Sequence, residues 1–463
     1  MDELEKVNHL YARAGFGLSP TEYLSSYKNP NLSGNLEKLF KEAKQQSLVS
    51  LKQDELFTNI TNEKYSAMRK KERYRLNNVE AKRRINDLRF NWLERMTNST
   101  NSPLQERMCL FWHGHFCCST AKPHLAINQL NIFRKYGLGS FRKMLHDISK
   151  DAGILFYLNN QQNTKKTPNE NYTRELLELF TLGKGHYTEK DIKEGARAFT
   201  GWQASYDGRF VFQKTKHDYS QKKFMGKVEN FGGEEIIDTV LDNPRTAYFL
   251  CEKIYKYFVS ENIDKKKVKT LSEYFYREDY DIGALMLKIF SSDWFYDKTF
   301  VLNKIKSPID LIAGLVKSFD VKLDAKSFFV LQNNLGQILF SPPNVAGWNR
   351  DKCWISNANI YTRLNVANVI LNEDELNLDD EENRNAKGYK GIGYLKHDFS
   401  NFQKFIKFYK QEAQFDAMLS YFRITPLMSK EELQHEIKNN LEFGQRSLSI
   451  AKRLCSLPEY QLC

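Results

Sequence analysis

The 463-residue chain has 41% hydrophobic and 13% aromatic residues, enough apolar material for a packed interior, which excludes global disorder. Its 23 Gly and 11 Pro are too few for a sandwich or barrel rich in tight turns, so composition favours a mainly α-helical fold. A net charge of +12 attracts phosphate, anionic polysaccharide and acidic membrane surfaces alike and by itself names no partner.

The first helical stretch is "LEKVNHLYARAG", stopped by "GFGLSP". Ser19-Pro20-Thr21-Glu22 then reads as a helix start, with a capping serine, proline at the first position and acid in the first turn. From Glu63 to Met96, eleven Lys or Arg stand against five Asp or Glu. Met68, Tyr74, Leu76, Val79, Ile85, Leu88 and Trp92 recur there at helical spacing. The segment is expected to be one long amphipathic helix, its basic face either solvated or a groove for an anionic polymer.

Next comes "FWHGHFCCS". Were the backbone to break at Gly114, His113 and His115 would face the same way in extended chain and reach one metal ion. In a continuing helix they diverge. "PNENYTRELLELFTLG", Pro168 to Gly183, is a helix crowded with oxygen side chains. Helical spacing puts Asn171, Glu175 and Glu178 in one stripe beside an apolar face of Tyr172, Leu176, Leu179 and Phe180. Adjacent carboxylates repel, so a divalent cation, an arginine or solvent must relieve them. Thr188 and Asp191 open another helix, and "YDGRFVFQ" is the best candidate for a small β-hairpin. "KHDYSQKKFMG" follows, where His217 and Asp218 are either a ligand pair, a base with its orienting acid, or a loop hydrogen bond. "FSPPNVAGWNRDKCWI" is a loop that seats Trp348.

The seven cysteines include no CxxC pair. That excludes a zinc ribbon and fits reduced thiols in a cytoplasm. No signal-peptide pattern or transmembrane run is visible. No Walker loop, GxGxxG after a strand, GxSxG elbow or HExxH motif occurs. The expected organisation is a main helical domain over 1–370, an acidic and Gly-rich linker or loop over 371–395, and a helical C-terminal appendage over 396–463.

In this order, "HLYARAGFG", "ERMCLFWHGHF", "PNENYTRELLELFTLGKGHYTEKDIKEGARAFTGW", "HDYSQKKFMG", "NPRTAYFLCEKIYKYFV", "KSPIDLIAG" and "FSPPNVAGW" resemble the domain-of-unknown-function 1800 family of bacterial proteins. The family pattern commonly has Asn where this chain has Gly114, and a glycine that "HDYSQK" lacks. The resemblance implies a mainly helical protein of unassigned biochemistry. It also implies a periplasmic or exported location and a sulfatase-like partner protein.

Two functions are carried forward from the sequence. In the first, a metal-assisted hydrolase acts on an anionic, glycan-like or sulfated or phosphorylated substrate. His113, His115, Glu175 and Glu178 hold a divalent metal ion; Glu170, Arg174, His217 and Asp218 supply the remaining catalytic groups. In the second, a non-catalytic binding or assembly protein uses the same residues in a buried structural network, with Arg174 and Arg107 neutralising the carboxylates.

Overall fold

The structure is a computed structural model that describes residues 1–47, 51–371, 397–428 and 443–463. It is mainly helical, with two small two-stranded antiparallel sheets. Local signals in the sequence set many helix starts. Ser19 Oγ accepts from Glu22 N at 3.3 Å while the Glu22 carboxylate accepts from Ser19 N at 2.7 Å. Thr188 with Asp191 and Ser307 with Asp310 repeat that reciprocal cap. Ser307 is followed by Pro308 at the first helical position, where proline's missing N–H leaves no bond unmade.

The helix Pro103–His115 runs through the centre, and Gly114 alone of its thirteen residues is not buried. Around it one continuous apolar core joins Leu10 of the first helix, Ile254 of helix Pro244–Phe258, Ile312 of helix Pro308–Phe319, and Phe402, Phe422 and Leu454 near the C-terminus. The described part of 396–463 thus packs into the same core as the N-terminal helices. Tyr421 fixes it there by donating to Leu18 O at 2.9 Å. Leu371 ends a helix, and residues 372–395 of the expected linker lie outside the described residues.

The Glu63–Met96 segment is helical over most of its length: Asn62–Ala67, then a break, then unbroken helix from Lys70 to Thr97. Its buried face is Leu76, Ala81, Ile85, Trp92, Leu93 and Met96. Tyr74 and Val79 are 65% and 52% exposed, because hydrogen bonds spanning five residues over Arg75–Glu80 shift the register of the face.

"YDGRFVFQ" supplies the turn and second strand of a hairpin, Phe210–Phe212 pairing with Trp202–Ala204. A second hairpin, Lys222–Phe224 with Lys227–Glu229, occupies what reads in the sequence as a loop. Its two-residue turn, Met225-Gly226, has φ of 47° and 84°, the left-handed pair that a tight hairpin needs.

Candidate functional site

The oxygen-rich helix answers its own sequence pattern locally. Asn169 Oδ1 accepts from Asn171 N, and Asn171 Nδ2 donates to Leu158 O at 3.1 Å. Arg174 forms a two-pronged ion pair with Glu189, both contacts 2.9 Å, and reaches Glu170 at 3.2 Å. From Leu176 to Thr181 the hydrogen bonds span five residues instead of four, and Leu182 N still reaches back to Leu177 O. This wider turn changes the spacing expected of an α-helix, and Glu175 and Glu178 remain neighbours. Glu178 accepts from Tyr187 Oη at 2.5 Å. Glu175 alone of the group has no hydrogen-bond or ion-pair partner among the described residues. Partial burial, then the neighbouring Glu178, push its pKa up.

The two histidines bond to different partners. The central helix continues through His115, closed by Phe116 N to Trp112 O at 2.8 Å, so the two rings diverge. His113 Nε2 accepts from Phe340 N at 3.0 Å, and its ring packs 5.2 Å from Trp348. Burial pulls its pKa down to about 3. His115 turns the other way, to Phe180 O at 3.1 Å through Nε2 and to Lys253 Nζ at 3.3 Å through Nδ1. The lysine is a donor, so Nδ1 accepts and Nε2 carries the proton. Lys253 also donates to Leu179 O at 2.6 Å, and Arg245 Nε to Leu182 O at 2.9 Å. A helix end leaves its last carbonyls without intrahelical partners. Three side chains meet that demand here: the Arg245 cation lies where the helix dipole favours positive charge, and burial pulls the Lys253 pKa down to about 7.

Among the described residues no group of three or more His, Cys, Asp or Glu could hold a metal ion, so the expected ligand set His113, His115, Glu175 and Glu178 is not seen gathered at one point. His217 and Asp218 are braced in their loop. His217 Nδ1 meets Thr200 O at 2.8 Å, and Asp218 accepts from Arg197 Nε at 2.8 Å. Bonds from Arg197 and Ser220 outweigh partial burial and hold the Asp218 carboxyl well below the usual range.

The place where the motifs do converge was missed by sequence reasoning. A partly open cavity is lined from five of the seven quoted stretches: Arg13 of "HLYARAGFG", Arg107 of "ERMCLFWHGHF", Tyr257 of "NPRTAYFLCEKIYKYFV", Lys306 of "KSPIDLIAG" and Trp348 of "FSPPNVAGW". Seven Lys or Arg line it against two Asp. One wall is built by Gln461–Cys463 pairing antiparallel with Lys304–Lys306, through Lys306 N to Gln461 O and Cys463 N to Lys304 O, both 2.8 Å. In extended backbone residues i and i+2 share a side, so Lys304 and Lys306 are presented together.

Several of these cations have carboxylates. Arg107 pairs with Asp310 and donates through Nε to Gly15 O at 2.8 Å. Lys304 reaches Asp351 at 3.2 Å. Others do not. Lys306 Nζ has a carbonyl, Tyr460 O at 2.7 Å; Arg423 meets neutral His9 Nδ1 at 3.1 Å; Arg350 meets Gly114 O at 3.2 Å. Arg13 is 3% exposed and donates from Nη2 to Phe300 O and Asn303 Oδ1, both 2.7 Å, while its Nε and Nη1 have no partner among the described residues. Burial lowers the pKa of Lys306 to about 8 and of Arg423 to about 10, and that of Arg13 as well; repulsion from neighbouring arginines adds to this, and Cys463 opposes it at all three. The arginine of "YARAG" and the lysine of "KSPID" were the available signals: basic residues inside otherwise apolar stretches.

A model for a protein family of unknown function, DUF1800, matches residues 9–462, and the chain belongs to that family. No curated protein and no solved structure matches it. Among the described residues no helix is long and apolar enough to cross a membrane.

Proposed function

We propose that this DUF1800 protein binds a small anionic ligand in the motif-lined cavity. Arg13 carries the reading. A buried donor without a partner costs about 1–3 kcal/mol, and more when it is charged. An oxyanion would satisfy those N–H groups and relieve the repulsion among Arg13, Lys306 and Arg423. The reading is one of binding. A base for hydrolysis would have to stand free beside the anion, whereas His217 and Asp218, expected for that part, are engaged with Thr200 and Arg197. Titrating inorganic phosphate while following thermal unfolding tests it, with equal ionic strength of chloride as control. Phosphate should raise the melting temperature of the wild type and have little effect on Arg13→Met. An equal response in both proteins, or none in either, overturns the reading.

A second contact is supported by the exposed start of the long basic helix. Lys70, Lys71, Arg75 and Lys82 project into solvent there without an ion pair among the described residues. If an anionic polymer tracks along them, the protein should elute from a heparin column at a salt concentration that falls when these four are changed to Gln. No retention of the wild type at low salt would leave the face as simple solvation.

A further inference from the structure

The cavity is lined by two chemically different kinds of side chain. Arg13, Arg107, Lys306 and Arg423 lie close enough to perturb one another or to share Asp310, and form one charged group. Two tryptophans line the same cavity. Trp348 and Trp354 pack with Ile305 and Cys117 in a cluster of their own, apart from the main core, and both indoles line the cavity. They are held in place rather than loose: Trp348 rests on the His113 ring, itself fixed by Phe340 N, and the two are only 8% and 6% exposed. Leu110 and Phe111 of the central helix also line the cavity.

Inorganic phosphate would meet the cations and make no use of the indoles. Ligand pockets work the other way, with most of the surface apolar and a few polar groups fixing orientation. Flat indole faces favour a flat partner, through offset or edge-on ring contacts. The cations exceed the carboxylates, so the partner's polar end is negative. We infer that the occupant is a ring-bearing oxyanion, such as a phosphate monoester of an aromatic or cyclic alcohol, with its anion at Arg13, Lys306 and Arg423 and its ring against Trp348 and Trp354. This rests on the anion-binding reading and adds the ring to it.

Calorimetric titration with inorganic phosphate, methyl phosphate and phenyl phosphate separates the two levels. Phenyl phosphate should bind at least about tenfold more tightly than methyl phosphate, which at about 1.4 kcal/mol per tenfold lies within the range of one good ring contact. Trp354→Leu should remove most of that preference and leave methyl phosphate affinity within about twofold. Trp348→Leu should do the same; because it also removes support from His113, Trp354→Leu and the wild-type comparison stand without it. Methyl and phenyl phosphate binding equally would overturn the ring inference and leave anion binding intact. No binding of any of the three would overturn both.

Discussion

Changing Asp310 to Asn removes the charge that faces Arg107 and leaves shape nearly intact. Both side chains are largely buried, with 17% of Asp310 and 5% of Arg107 exposed. Breaking a buried ion pair costs about 3–5 kcal/mol, because the surviving charge is left uncompensated. Here Arg107 would keep Gly15 O and stay stacked 4.2 Å over the Phe16 ring, so the lower end, about 3 kcal/mol, is expected. Asp310 also accepts from Ser307 N at 3.1 Å, and an asparagine oxygen can take over that cap. Chemical denaturation of the wild type, Asp310→Asn, Arg107→Met and the double variant at pH 7 gives the coupling directly. It should come to about 1.5–3 kcal/mol, the range for residues in direct contact. The pH dependence has a definite sign. Burial alone would raise the Asp310 pKa, but Arg107 outweighs it and holds the carboxyl below its ordinary value. The stabilisation is therefore present above the unfolded-state pKa of about 4 and fades as pH falls below it, so the gap between wild type and Asp310→Asn should narrow there. Additive effects of the two substitutions, or a loss under about 1 kcal/mol for Asp310→Asn, would refute the reasoning.

Other outcomes follow from the same geometry. His115→Phe keeps the ring but strips the donor from Phe180 O and the acceptor from Lys253, so stability should fall by about 1–3 kcal/mol, read as a lower denaturation midpoint. Glu175→Gln, with no partner to lose, should change stability by less than about 1 kcal/mol at pH 7 and gain if anything, because its raised pKa marks a strained carboxylate; a drop of several kcal/mol would show that Glu175 is a bonded member of the network. Lys306 has a lowered pKa of about 8, so the unfolded chain holds that proton more tightly. Stability should rise from about pH 8 to 10 through this group, and saturating phosphate should flatten the rise.

Most helix starts were legible because caps are local: Ser19 to Glu22 and Thr188 to Asp191 need only four residues. The His113–His115 stretch was not. Gly114 makes a break conceivable, but burial on all sides of Pro103–His115 decides for helix, and burial is a property of the whole chain. The Met225-Gly226 hairpin lacked the Asn-Gly or Asp-Gly signal that would have marked it. For the site, the sequence picked out residues by type, and type does not say who the partner is. Glu178 and Arg174 are met by Tyr187 and Glu189, nine and fifteen positions on. Arg13 was passed over because its isolation, the property that singles it out, exists only once Phe300, Asn303 and Arg107 are in place around it. The acidic run from Asn372 lies outside the described residues.

The three side chains that close the end of the oxygen-rich helix, His115, Arg245 and Lys253, stand 65, 63 and 74 residues from the carbonyls they meet. A peptide cut from this stretch contains none of them, so its final turn should fray in isolation whatever its intrinsic preference. In the intact chain that turn becomes a reporter of docking. Its amides should exchange with solvent in step with those of the Pro244–Phe258 helix, as one cooperative unit, and loosening either partner should be felt at both ends of the lock.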